Sequence, residues 1–576
     1  MNPVLKLEEE NKMPVSIRDL SYRHMHGEHR ALDEVSLEIG AGETVALVGK
    51  SGSGKSTLGY ILSGIIPQMI KGSELVGEVS FGDTGDYKVG FVSQIPENQL
   101  FGYRVEDAIV FGLENLGLEQ EEIERRLTRV LELFGIEAFR NRPVSALSGG
   151  QKQTVCIASV LAMEPQLLIL DEPVSSLDPL GKSLIQKVLI QLKQEGQTVL
   201  LIDQNLDWPA EAVDRVVGLE NGRVIFDGDK THFFLDEELY IRLGVTVPQM
   251  LELYHACGKN EGSALFTTVE AASEFFREHF PGTGAGIRGL YRPLHEEREQ
   301  QSPSIEIHEL VKEFDGFRAL DGVSVSFYPG TVTAVLGQNG SGKTTVARHL
   351  IGLYQPTSGS IHYKGRPIAD RSTADLARDI AYVFQHPDQM IFEDSVWKEV
   401  TFSSRIMKRT ADESRVEELL REHDLLEYKD AFPMNLSMGH KHMLTILSVL
   451  LTDPDVIILD EPTLGMDRIM KSMLQDLMAK LKGMGKTLIL ISHEMSFVAE
   501  TADEAILMKS GSILLKGTLP DIFGRGSLLH EVRIEPPQVK RLADCFGQEN
   551  ILTVPQFVAA CCPELPIRQA VGGDEG

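Results

Sequence analysis

Cysteine is scarce in this chain. Five occur in 576 residues, Cys156, Cys257, Cys545, Cys561 and Cys562, and none stands at a CxxC or Cys/His ligand spacing. A disulfide framework is excluded, a zinc site has no support, and a reducing cytosol fits best. The adjacent Cys561 and Cys562 read as plain thiols, because no basic neighbour lowers their pKa. Long apolar runs are also missing, and the start MNPVLKLEEENK has neither an apolar core nor a cleavage site. Neither a spanning helix nor a signal peptide is therefore expected. Positive charge is in deficit, with 56 Lys+Arg against 84 Asp+Glu and a net charge of −28. Proteins that coat nucleic-acid phosphates usually carry a basic surface, so a nucleic-acid partner is not expected. Aromatics reach only 7 %, but 42 % of residues are apolar and 24 % charged. That is an ordinary globular balance, with length for roughly three or four domains.

What the chain does have is a copy of itself. ALVGKSGSGKST (46–57), FVSQIPENQLF (91–101), LSGGQKQ (147–153) and LLILDEP (167–173) return as AVLGQNGSGKTT (334–345), YVFQHPDQMIF (382–392), LSMGHKH (436–442) and VIILDEP (456–462). Each of the four anchors recurs at almost the same offset, 288 to 291 residues further on, which marks a tandem duplication. A weaker echo links LGVTVPQMLEL (243–253) with VRIEPPQVKRL (532–542), so each module is expected to end in a small helical appendage. The polar stretch LHEEREQQSPS reads as a linker. The organisation expected is a tail over 1–13, a first module over 14–245, appendage and linker over 246–303, a second module over 304–528 and a closing appendage over 529–576.

Each glycine loop follows a β-branched apolar run, ETVALVG or TVTAVLG, and precedes a helical pattern. Strand, loop and helix in that order form the setting of a P-loop. Gly49, Gly52 and Gly54, with Lys50, Ser51, Ser53 and Thr57 between and after them, let backbone N–H groups wrap phosphate oxygens, and the helix dipole favours the anion. Gly337, Gln338, Asn339, Gly340, Ser341, Gly342 and Thr345 repeat the arrangement. Lys55 and Lys343 reach the β/γ-phosphates, and Ser56 and Thr344 offer a hydroxyl to Mg²⁺. LLILDEP and VIILDEP read as buried parallel strands ending in Asp171–Glu172 and Asp460–Glu461. The aspartates suit the surroundings of Mg²⁺, and the glutamates suit polarising an attacking water, since phosphoryl transfer needs mainly positioning and charge neutralisation. Ser148 of LSGGQ is an N-cap, and its two glycines permit close backbone approach to an anion.

With P-loop, glutamine loop, LSGGQ, Asp-Glu and a following SSLD (175–178) in this order, the chain resembles the ATP-binding cassette (ABC) ATPases over about four-fifths of its length. The resemblance implies an α/β fold of two P-loop domains, each with a helical signature subdomain, and MgATP as ligand. It also implies that the modules pair head to tail within one chain, each ATP lying between one P-loop and the other module's signature. Gln94 and Gln385 are then the loop glutamines that reach the metal and the water, and Phe314 is the aromatic stacked on adenine. The first half offers Tyr22 or, in strict register, His24 for that stacking.

The halves depart from the family pattern unequally. The second keeps the histidine after its last core strand, His493 in LILISHEM, whereas the first has Gln204 in LLIDQNL. Glutamine donates a neutral hydrogen bond but cannot carry a proton as imidazole does. The second signature reads LSMGH, with Ser437 and Gly439 kept but Met438 and His440 replacing glycine and glutamine, and LGMD (464–467) replaces SSLD. Under the head-to-tail arrangement one site combines Lys55, Ser56, Gln94, Asp171, Glu172 and Gln204 with Ser437–His440 and Asp467. The other combines Lys343, Thr344, Gln385, Asp460, Glu461 and His493 with Ser148, Gly149, Gly150, Gln151 and Asp178. All departures fall in the first combination, which predicts one hydrolytic site and one that turns over slowly; two working sites with tolerated substitutions are the alternative.

The stretches Ile95–Phe101 and His386–Phe392 resemble the short glutamine-containing helix of energy-coupling factor (ECF) importers, where it contacts a membrane coupling subunit. VFGLENLGL (110–118) and the appendages resemble that group too. In the second half the glutamine is displaced by one place, and WKEVTFSSRIM replaces the FGLENLG pattern. The resemblance implies a motor subunit on the cytoplasmic face of the membrane, partnered by a transmembrane coupling subunit and a substrate-binding membrane subunit. A tandem ATPase of a sugar importer and a soluble ribosome-associated tandem ABC protein remain the alternatives.

Overall fold

The computed structural model describes residues 15–25, 30–68, 74–82, 87–93, 99–175, 177, 179–257, 265–279, 301–407 and 412–561. Gln94, the Ile95–Asn98 stretch, Asp178, Cys562, the tail over 1–13 and most of the linker lie outside them. The chain forms two compact units, Met1–Val247 and Pro248–Gly576. Among the described residues no helix is long and apolar enough to cross a membrane.

In the first unit the run Thr44–Val48 is apolar on both faces and fully buried, as a central parallel strand requires. It lies in a six-stranded sheet in the order Val89–Val92, Leu167–Asp171, Thr198–Ile202, Thr44–Val48, Arg215–Glu220 and Arg223–Asp229, of which only the last strand is antiparallel. A second, antiparallel sheet orders Leu32–Ile39, Val15–Arg23 and Glu74–Phe81. Its inward residues, among them Ile17, Leu20 and Val35, pack with Leu58, Leu62, Ile169 and Ile202 in one core that supports the helix after the glycine loop.

The second unit repeats this plan with Ile380–Val383, Val456–Asp460, Thr487–Ile491, Val332–Leu336, Glu504–Lys509 and Ser512–Thr518, beside a four-stranded antiparallel sheet. Side chains alternate along its strands between two cores. Val335, Ile458 and Ile489 face the glycine-loop helix and the antiparallel sheet. Leu336, Leu459 and Leu490 face the helical side with Leu444 and Met470. Leu459 is 2 % exposed, so its truncation to Ala costs about 2–5 kcal/mol. The fold class is the α/β tandem of P-loop domains expected from the strands and loops.

The appendage segments after each module lie together in the second unit. Helices Gln249–Ala256 and Val269–His279 pack with Gln538–Asp544 and Val554–Cys561. The match between them is reciprocal: Val539 N donates to Gln249 Oε1 at 3.3 Å, and Met250 N donates to Gln538 Oε1 at 3.4 Å. Fully buried Phe276 meets Phe557 at 5.1 Å and Phe546 at 6.5 Å between ring centres.

Candidate functional site

Each glycine loop is forced to be glycine by its neighbours. A Cβ on Gly49, at φ +148°, would stand 2.2 Å from the Leu219 carbonyl, and one on Gly337, at φ +152°, 2.4 Å from that of Met508. The loops run into helices Lys55–Leu62 and Lys343–Leu350, whose N-caps, Gly54 and Gly342, supply no side-chain cap. The first N–H groups are thereby left for an anion. Lys55 Nζ donates to the carbonyls of Gly49 (2.7 Å) and Lys50 (2.8 Å). Lys343 Nζ does the same to Gly337 (2.6 Å) and Gln338 (3.0 Å). Both ammonium groups are held across the mouth of the loop.

The strand-end carboxylates stand over these loops. Asp171 is 5 % exposed, and burial, then the charge of Glu172, pushes its pKa up to about 7, against the pull of the Ser56 hydroxyl and Lys55. Asp460 is raised by burial as well. Its Oδ2, however, accepts from Tyr382 Oη at 2.6 Å and Thr344 Oγ1 at 3.1 Å. Phe91 occupies the place of Tyr382 in the first half and brings no hydroxyl. A hydroxyl beside a carboxylate, with no nitrogen or sulfur donor, fits a hard cation such as Mg²⁺.

Glu172 and Glu461 share a left-handed backbone, φ +45° and +49°. Each N–H is held by the strand beside it, on Ile202 O and Ile491 O at 2.8 Å. The residues above them differ. Gln204 Nε2 donates to Glu172 Oε1 at 3.0 Å. His493 donates its backbone N–H to Glu461 Oε2 at 3.1 Å, while its Nε2 lies 3.3 Å from Glu461 Oε1 and 3.0 Å from Oδ1 of Asn339 in the loop. Beside Gln204, Asp203 is 5 % exposed and accepts from Asn205 N (2.8 Å) and Trp208 Nε1 (2.9 Å). Burial and the charge of Glu172 push its pKa up to about 7. No motif singles out Asp203 or Tyr382; comparing the halves position by position, Asp203 with Ser492 and Tyr382 with Phe91, would have found both.

Both signature segments begin helices. Ser148 caps Gly149–Ala162 in a full capping box with Gln151. Ser437 caps Met438–Leu450 by accepting from His440 N at 3.3 Å, and its hydroxyl also meets His440 Nδ1 at 2.7 Å. His440 thus folds back onto its own cap, and burial holds its pKa below the ordinary value. Met438 packs on Gly465, where an added Cβ would come 2.7 Å from Met438 Cβ. The two sequence departures, LSMGH and LGMD, are therefore one packed unit. Asp467 caps Arg468–Gly483. The Gln385 carbonyl lies 3.0 Å from Nε2 of buried His442.

Phe314 is 37 % exposed, with Tyr354 at 5.3 Å and Lys312 Nζ 4.9 Å from its ring centre. In the first half Tyr22 is 1 % exposed, so its ring is core and not available to a base. His24 is exposed and 3.5 Å from Thr57 Oγ1, which leaves it as the ring of that pair able to face a ligand.

Beyond the glutamine loop, Gln99 turns inward, accepting from Ser93 N (2.8 Å) and Cys156 Sγ (3.2 Å) and donating to Phe91 O (3.0 Å). Exposed Phe101 instead pairs with Phe111 at 5.3 Å, and exposed Phe392 with Phe402 at 5.7 Å.

Residues 32–175 and 320–464 match the ABC transporter family model. A "Putative ABC transporter ATP-binding protein" of Methanosarcina acetivorans is 35 % identical, covering 96 % of this chain and 94 % of its own. One of Caldanaerobacter subterraneus subsp. tengcongensis is 34 % identical over 95 % and 98 %. Among solved structures, cbiO1 of Clostridium perfringens, part of the ABC transporter complex cbiONQ, is 33 % identical and covers 42 % of this chain and all of its own, with a TM-score of 0.37. The archaeal ribosome recycling factor aABCE1, solved with stalk protein aP1, is 20 % identical over 89 % and 92 % with a TM-score of 0.56, a likeness of fold. The chain belongs to the ABC transporter ATP-binding family and is an ATPase.

Proposed function

We propose that this ABC ATPase is the motor subunit of an ECF-type importer, using ATP at two unequal sites to drive uptake of a vitamin, metal ion or similar small solute through separate membrane subunits. The observation that carries the reading is the aromatic pair found after the glutamine loop in each unit, Phe101 with Phe111 and Phe392 with Phe402, of which all but half-buried Phe402 are exposed. Exposed apolar side chains repeated at equivalent places of two modules suit a pair of docking points for one partner. The partner proposed is a transmembrane coupling subunit, itself bound to a substrate-binding membrane subunit, with the ATPase at the cytoplasmic face.

The second-half loop is proposed to carry the hydrolytic chemistry. Glu461 orients the attacking water, His493 bridges it to the loop through Asn339, and Gln385 lines the approach. Asp460 and Thr344 hold Mg²⁺, which neutralises charge on the phosphates. The loop with Lys55, Ser56, Asp171 and Gln94 also binds MgATP, but Gln204 occupies one oxygen of Glu172 and supplies no proton, so turnover there is slow.

The test is affinity purification of the tagged chain from mild-detergent-solubilised membranes of its own host, followed by mass spectrometry. Recovery of a multi-helix coupling protein with substrate-binding membrane proteins supports the importer. Recovery of ribosomal proteins without a membrane partner overturns it in favour of a translation factor, and a sugar-type permease would assign it to that importer class.

A further inference from the structure

The helix Arg468–Gly483 begins directly after Asp467, whose Oδ1 accepts from Met470 N at 2.9 Å. Asp467 is 4 % exposed, so its position follows that of the first helical turn. Two ion pairs grip that turn. Arg468 Nη1 donates to Glu252 Oε1 of the appendage helix Gln249–Ala256. Lys471 Nζ meets Glu494 Oε1 at 2.7 Å, and Glu494 is the residue after His493. Glu252 and Arg468 are both half-buried, with side chains 24 % and 34 % exposed. The appendage helix is itself anchored by the Gln249/Gln538 exchange, so it is a fixed support rather than a loose arm. At the corresponding positions stand Pro179, Lys182 and Asn205 in the first half, and Arg541 of the closing appendage is the counterpart of Glu252. Neither ion pair can form from those residues.

We propose that Glu252 is a positioning residue for ATP turnover: through Arg468 it fixes the first turn of the helix that Asp467 caps, and through Lys471 and Glu494 that turn holds His493. The appendage is then a brace for the second half's catalytic loops. A brace of this kind acts on geometry reached in the transition state, so its loss lowers kcat more than it raises KM. The inference rests on the ATP-site roles of Asp467 and His493 and is independent of what the ATPase drives.

The full chain is compared with Glu252→Ala, Glu252→Gln and the charge swap Glu252→Arg/Arg468→Glu. Steady-state ATPase is measured across ATP concentrations, and amide exchange is followed over residues 464–471 without nucleotide. The expected result is a fall in kcat of about tenfold, with KM within about twofold, in both single variants. Exchange over 464–471 speeds up, and the swap restores most of the rate. If Glu252→Ala does not fold, Glu252→Gln, which keeps the side-chain shape, decides. Wild-type kcat with wild-type exchange in a folded Glu252→Gln variant overturns the inference. So does a lower melting temperature with unchanged kcat, or a loss that the swap leaves unrepaired. Should the wild type hydrolyse no ATP, the roles of Asp467 and His493 fall, while the exchange measurement still reports on the brace.

Discussion

Gln204 Nε2 donates to Glu172 Oε1 at 3.0 Å, where the second half has an imidazole shared between Glu461 and Asn339. An amide so engaged holds the carboxylate still without being able to exchange a proton with it. Glu461→Gln is expected to lower steady-state ATPase by about a hundredfold, the range a lost general base produces, and Glu172→Gln by less than about threefold. Equal losses in the two variants would show two working sites.

Tyr382 gives Asp460 a second donor that Asp171 lacks. A hydrogen bond to a charged group is worth about 1.5–3 kcal/mol. Tyr382→Phe is expected to raise the Mg²⁺ concentration needed for nucleotide binding by about tenfold. Calorimetric titration of ATP at stepped Mg²⁺ checks it, and an unchanged Mg²⁺ requirement would remove Tyr382 from the site.

How far the sequence can be read here depends on the range of the contact. The glycine loops, the strand-end carboxylates and the all-buried strands are local patterns, and each is found where its pattern places it. Tyr22 shows where locality ends. The strand Val15–Arg23 is bulged, with Asp19 at φ +47° and register shifts on both sides of Leu20, so alternation no longer tells which of Tyr22 and His24 faces inward. The Gln249/Gln538 exchange and the Glu252 to Arg468 pair join residues hundreds of positions apart, and no period or spacing encodes them. Gln99 lies in a segment that resembles a surface contact, yet its amide is bonded to Phe91 O and Ser93 N.

Asp203 makes the first unit sensitive to pH. Its folded pKa, raised to about 7 from 3.8, means that the native state binds a proton which the unfolded chain has already lost. Stability therefore falls as pH rises from about 4 to 7 and stays low above that window, by up to about 4 kcal/mol for a shift of this size. Asp203→Asn removes one of the two buried carboxyls of the first unit raised to about 7, leaving Asp171. Denaturant unfolding between pH 5 and 8 should show a clearly flatter slope in the variant, and parallel slopes would place the ionisation elsewhere.

Met438 and Gly465 are expected to behave as one unit. A Cβ at Gly465 would meet Met438 Cβ at 2.7 Å on a backbone at φ +72°. Gly465→Ala alone should cost about 1–3 kcal/mol through overpacking and strain. Adding Met438→Gly relieves the contact but not the backbone, so the double variant should cost less than the sum of the two. Strict additivity in a double-mutant cycle would mean that the side chains do not touch.

Phe101 and Phe392 separate docking from folding. Both rings are more than half exposed, 56 % and 69 %, so truncation removes little buried area, and each substitution to Ala should change stability by less than about 0.5 kcal/mol. At an interface the same ring is an anchor, and losing an aromatic anchor typically costs about 2 kcal/mol or more of binding. The double variant Phe101→Ala/Phe392→Ala should therefore keep its melting temperature and its ATPase while losing co-purification with membrane proteins. The two single variants tell whether one docking point suffices. Because WKEVTFSSRIM replaces the FGLENLG pattern in the second half, Phe101→Ala is expected to weaken recovery more than Phe392→Ala. Undiminished recovery of membrane partners by the double variant would move the docking surface away from the aromatic pairs.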